Sequence, residues 1–206
     1  LLCCAALLFC PGRTGLAAAA ALLYFAFVLD CTDGQLARIK GQTSTVGSYL
    51  DFLMDEIKAV TLIAAAAARL AMTGTPSLWP GIDGSIFWLG LGLCGVVTAA
   101  SGISLTTFMR RPEYFEAVTG QKGVRVPGFT KFQEPVAPVA RSPLQQLLRL
   151  PVRLLEEVGK LVMHYPAWFY IPALLGHLEW FVVPYLAAHA LYLGRSGLIV
   201  LIKLGR

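Results

Sequence analysis

Residues 16–55 read LAAAAALLYFAFVLDCTDGQLARIKGQTSTVGSYLDFLMD, and this stretch decides the fold. It opens with an apolar run that carries no charge from Leu16 to Leu29. The run turns polar at Asp30, breaks at Gly41–Ser44, and resumes at Thr45 as a second apolar segment with its charges crowded into the first half. Segments of this kind approach the ~20 residues that a helix needs to cross hydrocarbon. The pattern predicts helices over about Leu16–Lys40 and Thr45–Met72, antiparallel across the short turn.

The carboxylates in this stretch are costly. A charged side chain near hydrocarbon costs roughly 2.5–3.5 kcal/mol even on the lenient insertion scale. At about 100° per residue, Asp30, Asp33, Gly34 and Ala37 fall on one face of the first helix. Gly47, Asp51 and Asp55 fall on one stripe of the second, which Lys58 continues. Antiparallel packing lets both acidic faces converge, and carboxylates brought together repel one another. Salt bridges to Arg38, Lys40 and Lys58 supply too few cations to remove that repulsion. Divalent ions remove it, and hard oxygen ligands suit Mg²⁺ or Mn²⁺ rather than zinc. Two ions set about 3.5–4 Å apart fit such a carboxylate group. Gly34, Ala37 and Gly47 leave the acidic faces without bulk, so an extended ligand can approach the backbone. Arg38 adds a planar donor fork suited to phosphate oxygens. Together these features point to metal-bridged diphosphate chemistry.

The rest of the chain sets the architecture. Of its 206 residues, 56% are hydrophobic and only 14% charged, against roughly 25% charged in a soluble domain. A soluble bundle would need more polar surface. Leu1–Cys10 reads as the end of a first membrane helix, since a signal peptide would need a basic n-region. Pro11–Gly15 reads as a turn, Thr73–Gly84 as an exterior loop, and Ser85–Met109 as a fourth helix. Pro112, Pro127, Pro135 and Pro138 mark Arg110–Arg141 as a loop, and Pro143–Met163 reads as a helix along the membrane surface. Two further apolar stretches, about His164–Gly176 and Trp180–Ile202, follow. The expected fold is all-α: a polytopic six-transmembrane-helix bundle with an incomplete first helix, forming one domain over 1–206.

Net charge is +5, and basic residues cluster between Arg110 and Lys160. This predicts a cytoplasmic basic loop over 110–150, near anionic membrane lipids, and puts the acidic turn on the cytoplasmic side of the cell membrane. No nucleic-acid motif is present. Arg13 and Arg69 remain near the exterior ends. The five cysteines sit in apolar segments without metal spacing and read as buried free thiols. Trp79, Trp88, Trp168 and Trp180 suit an aromatic belt, Ala64–Ala68 suits close helix packing, and His164, His177 and His189 read as interfacial or packing residues. Three cations are candidate acceptor contacts. Lys58 competes with simple pairing to Asp55 or Asp51, Arg110 with a boundary anchor, and Arg195 with snorkelling to the surface.

The spacing Asp30-x-x-Asp33-Gly34-x-x-Ala37-Arg38, then eight residues, then Gly47-x-x-x-Asp51-x-x-x-Asp55 resembles the signature of the CDP-alcohol phosphotransferase (phosphatidyltransferase) family. The resemblance covers 30–55 and implies a transferase that moves a phospho-alcohol group from a CDP-alcohol donor to a hydroxyl acceptor in phospholipid synthesis, releasing CMP. It implies that Asp30, Asp33 and Asp51 hold one ion, and Asp30, Asp51 and Asp55 a second. It makes Asp55 the catalytic base. It implies donor contacts from Gly34, Ala37, Arg38, Ser44 and Gly47, and a homodimer. A divalent-cation transporter also carries intramembrane carboxylates, but would place them at mid-membrane on several helices. A prenyl-diphosphate enzyme would carry acidic motifs of different spacing.

Overall fold

The computed structural model describes residues 1–42, 44–109, 111–119, 157–159, 161–162 and 164–204. The described residues form helices and no strand: α1 (Leu2–Phe9), α2 (Gly12–Ile39), α3 (Thr45–Met72), α4 (Gly84–Met109) and α5 (Pro112–Thr119), then a 3-10 turn (Tyr165–Ala167), α6 (Tyr170–Leu175) and α7 (Glu179–Leu204). The described residues are all-α, as expected. Three of these helices, α2, α4 and α7, are long and apolar enough to cross a membrane. At 28 residues α3 matches α2 in length, but Asp51, Asp55, Glu56 and Lys58 make its first half polar.

The outward faces are apolar. Phe25 and Leu29 on α2, Leu53 on α3, Leu93 on α4 and Leu198 and Leu201 on α7 are all exposed. A surface this apolar is matched by lipid rather than by water.

Sequence and structure part at several points. The expected turn at Pro11–Gly15 is already helical from Gly12. Its tightness depends on Gly15, where a Cβ would lie 2.0 Å from the carbonyl oxygen of Cys10. Pro112 starts α5 instead of breaking the chain into loop, because proline at a first helical position forfeits no hydrogen bond. The expected helix over 164–176 is a 3-10 turn followed by the six-residue α6, short of the ~20 residues of a span. Six spans are therefore not what the described residues contain. Most of the expected surface helix and basic loop lies outside them. Trp88 is fully buried, its Nε1 donating to the carbonyls of Thr75 and Pro76, and half-buried Trp168 donates to Val162. Only Trp79 and Trp180 are exposed as a belt requires. Of the cysteines, Cys3 is buried, while Cys10, Cys31 and Cys94 are exposed, free as expected but not enclosed.

Packing is dense at one end and open at the other. In α2 the buried residues stop at Leu23, and in α3 they run from Leu62 to Ala71. Leu7, Leu62, Ile63, Trp88, Phe169 and Phe181 form the centre of the core. Helices α3 and α4 are antiparallel and meet closely: a Cβ on Gly92 would lie 2.4 Å from that of Ala67. The alanine run on α3 does pack against a neighbouring helix, as its composition predicts.

Arg69 holds this dense end together. Its side chain is buried, not set in an exterior loop. The guanidinium donates to the carbonyls of Leu7 (3.0 Å), Cys10 (2.7 Å) and Gly12 (2.9 Å). Those of Leu7 and Cys10 lie at the C-terminus of α1, past which no helical turn follows to donate to them, and that of Gly12 lies in the first turn of α2. A cation there also suits the negative end of the helix dipole. Arg69→Met leaves one buried and two half-buried carbonyls without this donor and is expected to lower stability by about 3 kcal/mol, read as a fall in unfolding temperature in detergent.

At the same end, the carboxylate of Asp83 caps α4. It accepts from the hydroxyl of Ser85 and from the backbone N–H groups of Ser85 (2.9 Å) and Ile86 (3.3 Å). These hydrogen bonds, the Ser85 hydroxyl first, hold its pKa below the usual carboxylate range. A depressed folded pKa contributes stability above the unfolded value of about 3.9, and that contribution fades as pH falls through the folded value. The gap in unfolding temperature between wild type and Asp83→Ala should be constant near neutrality and close in acid.

Candidate active site

The site is built where α2 ends and α3 begins. Gly41 ends α2 with φ +62°. Its N–H donates to Arg38 O (3.2 Å), and that of Gln42 donates to Ala37 O (2.9 Å). This paired closure needs the left-handed conformation that glycine adopts without strain. It turns the chain back, so that Lys58 on α3 comes level with Asp30 on α2. Ser44 then starts α3, its Oγ accepting from Gly47 N–H at 2.9 Å.

The turn brings three of the four expected aspartates together. One carboxylate oxygen each from Asp30, Asp51 and Asp55 lies within 4.8 Å of the other two. Asp30 is half-buried, Asp51 and Asp55 exposed. Oxygens at that spacing surround a point no more than about 2.8 Å from each, a small contraction away from the 2.0–2.6 Å of Mg²⁺ and Ca²⁺ bonds to oxygen. The donors are all hard oxygens, so they fit a divalent ion of the expected kind. Asp33, one turn beyond Asp30, is exposed and stands outside this cluster.

Lys58 enters the cluster from α3. Its Nζ lies 3.0 Å from Asp30 Oδ1 and 2.8 Å from Asp55 Oδ1. The simple pairing weighed for this residue is thus present with Asp55, while its other partner is Asp30 on the neighbouring helix. One ammonium against three carboxylates leaves the site strongly negative.

The small residues divide into two kinds. A Cβ on Gly34 would meet nothing within 4 Å, so its face is open. A Cβ on Gly47 would meet Ser44 Oγ at 3.0 Å, so glycine there makes room for the cap. Ser44 and Gly47 therefore form a helix start, a role that Ser immediately before a helix announces. Ala37 is half-buried, and Arg38 is exposed in the last turn of α2. Among the other candidate cations, Arg195 is exposed on α7, and Arg110 falls outside the described residues.

Two residues beside the site carry no signal in the sequence. The ring of His164 meets Phe27, one turn before Asp30, edge to face at 5.6 Å. The adjacent Tyr165 is buried and packs on Tyr185 of α7 at 6.0 Å. The chain after residue 163 thereby forms one wall near the acidic end of α2. His177 and His189 are distant from the cluster in sequence and serve packing: His177 stacks on Trp180 at 4.5 Å, and His189 hydrogen-bonds Tyr185 O at 3.0 Å.

Apolar-faced helices with a carboxylate cluster at the mouth of their bundle define a membrane-type helical protein whose acidic group could hold a divalent ion. The chain belongs to the CDP-alcohol phosphatidyltransferase family, whose model matches residues 1–132. No curated protein and no solved structure matches it. The family match contains the whole acidic site and ends before the wall formed by His164 and Tyr165.

The cap makes the local geometry testable. Ser44→Ala is expected to lose about 1 kcal/mol of stability, seen as a lower unfolding temperature, and Ser44→Asp, which can still cap, should restore it.

Proposed function

We propose that the protein is an integral membrane transferase that moves a phospho-alcohol group of the phosphatidyl type from a CDP-alcohol donor to a hydroxyl acceptor, with release of CMP. The observation that carries this reading is the convergence of Asp30, Asp51 and Asp55 from two helices, within a chain of this family. Asp30, Asp51 and Asp55 would hold one Mg²⁺ or Mn²⁺ ion, and Asp33 with Asp30 and Asp51 a second. Bound there, the ions supply charge neutralisation for the donor diphosphate and for the departing CMP.

The residues of the chain do the rest. Asp55, exposed at the mouth of the cluster, accepts the proton of the acceptor hydroxyl. The freed oxygen attacks the phosphorus next to the donor alcohol, a new P–O bond forms, and the bond to the CMP oxygen breaks. The open face at Gly34 lets the donor lie against α2, with Ala37, Arg38, Ser44 and Gly47 along its nucleotide part. Lys58, Arg110 and Arg195 are the acceptor contacts. The lipid portion of the donor stays in the bilayer against the apolar faces. The whole chain, 1–206, acts as one membrane domain, with the signature segment 30–55 at its centre and the basic segment 110–150 beside anionic headgroups. By the positive-inside rule the site faces the cytoplasm of the cell membrane. The product belongs to phospholipid synthesis, and the working form is a homodimer.

The purified protein, given CDP-diacylglycerol and a panel of acceptors (inositol, inositol phosphate, glycerol phosphate, serine), should release CMP with Mg²⁺ or Mn²⁺ and not with EDTA. Asp55→Asn should cut turnover by about 10²-fold or more and change stability by no more than about 1 kcal/mol, because its pair with Lys58 is exposed. Full turnover in that variant would remove Asp55 from the chemistry. Metal flux into liposomes without CMP release would replace the transferase by a transporter.

A further inference from the structure

Lys58 stands where a cation is needed. Its Nζ contacts one oxygen of Asp30 (3.0 Å) and one of Asp55 (2.8 Å), two of the three carboxylates whose oxygens lie within 4.8 Å of one another. The contact to Asp30 crosses from α3 to α2, between residues 28 apart in the chain. The ammonium therefore bridges the two helices that a divalent ion would bridge. Two cations sharing those oxygens would lie within a few ångströms of each other, where like charges repel strongly. The side chains are partly open, at 31% for Lys58, 35% for Asp30 and 51% for Asp55. Ion pairs this exposed are weak enough to exchange, and the four-carbon stem of lysine can swing the ammonium aside.

We propose that Lys58 is a positioning residue that occupies the carboxylate site in place of a divalent ion, so that metal entry displaces it. Without metal, the lysine holds α2 and α3 in register and limits the repulsion among Asp30, Asp51 and Asp55. With metal, the same lysine is a built-in competitor that lowers the affinity of the site. Release of Lys58 then depends on how strongly the incoming ion engages the three carboxylates. This inference rests on the reading of those carboxylates as a divalent-cation site.

The test is Mn²⁺ binding to the full chain in detergent without any substrate, followed by electron paramagnetic resonance, for wild type, Lys58→Met and Lys58→Arg. Lys58→Met should bind Mn²⁺ about tenfold more tightly, since two partly exposed pairs no longer have to be broken. Lys58→Arg, which keeps the charge, should stay near wild type. Without metal, Lys58→Met should unfold at a lower temperature than wild type, and Mn²⁺ should raise that temperature by more. A lysine that merely supports the fold would give equal or weaker Mn²⁺ binding in Lys58→Met, and that result overturns the proposal while leaving the metal site standing. Wild type that binds no Mn²⁺ overturns both. Binding that behaves as expected, without CMP release, removes the transferase and leaves the lysine's role intact. Should Lys58→Met yield no folded protein, Lys58→Gln carries the same comparison.

Discussion

Mutual repulsion among Asp30, Asp51 and Asp55 is the constraint around which this end of the protein is arranged. Their oxygens lie within 4.8 Å of one another, and the nearest cation, Lys58, reaches only two of them. Such a group is stable only where positive charge can be supplied and where water or a ligand can reach it. The half-open mouth of the bundle meets both conditions. Burial of the same three groups in the core would have demanded full neutralisation from within the chain.

The dense end makes that open end possible. Gly92 against Ala67 draws α3 and α4 together, and Arg69 ties α3 to the carbonyls at the junction of α1 and α2. With the helices clamped there, their other ends need little apolar packing to stay in place. The Gly41 turn then determines how α2 and α3 approach. Stability and function are thereby separated along the length of the same helices: close packing from Leu62 onward in α3, exposed chemistry before it.

The apolar outer faces complete the physical picture. Side chains such as Phe25, Leu93 and Leu201 are exposed in numbers that water would penalise. In lipid they cost nothing, and the polar demands of the backbone are met within the helices. A reaction between a lipid-linked donor and a hydroxyl acceptor suits a site at the edge of such a surface.

Much of this was legible in residues 16–55. Periodicity placed α3 at Thr45–Met72 and put Asp30 and Asp33 on one face, of which Asp30 alone meets Asp51 and Asp55, because a helix converts spacing into direction at a fixed angle per residue. Other features were decided by contacts between distant parts of the chain. Arg69 reads as a boundary charge until α1 delivers its carbonyls. Trp88 reads as a belt residue until the loop carbonyls of Thr75 and Pro76 enclose it. His164 and Tyr165 have no motif at all and are placed by distant partners, Phe27 of α2 and Tyr185 of α7. The sequence by itself determined the all-helical class and the acidic faces, since these follow from local composition and spacing, and it carries the signature on which the family resemblance rests. Only the tertiary structure decided which cation answers which carboxylate, because a partner 28 residues away is chosen by helix packing and leaves no local pattern.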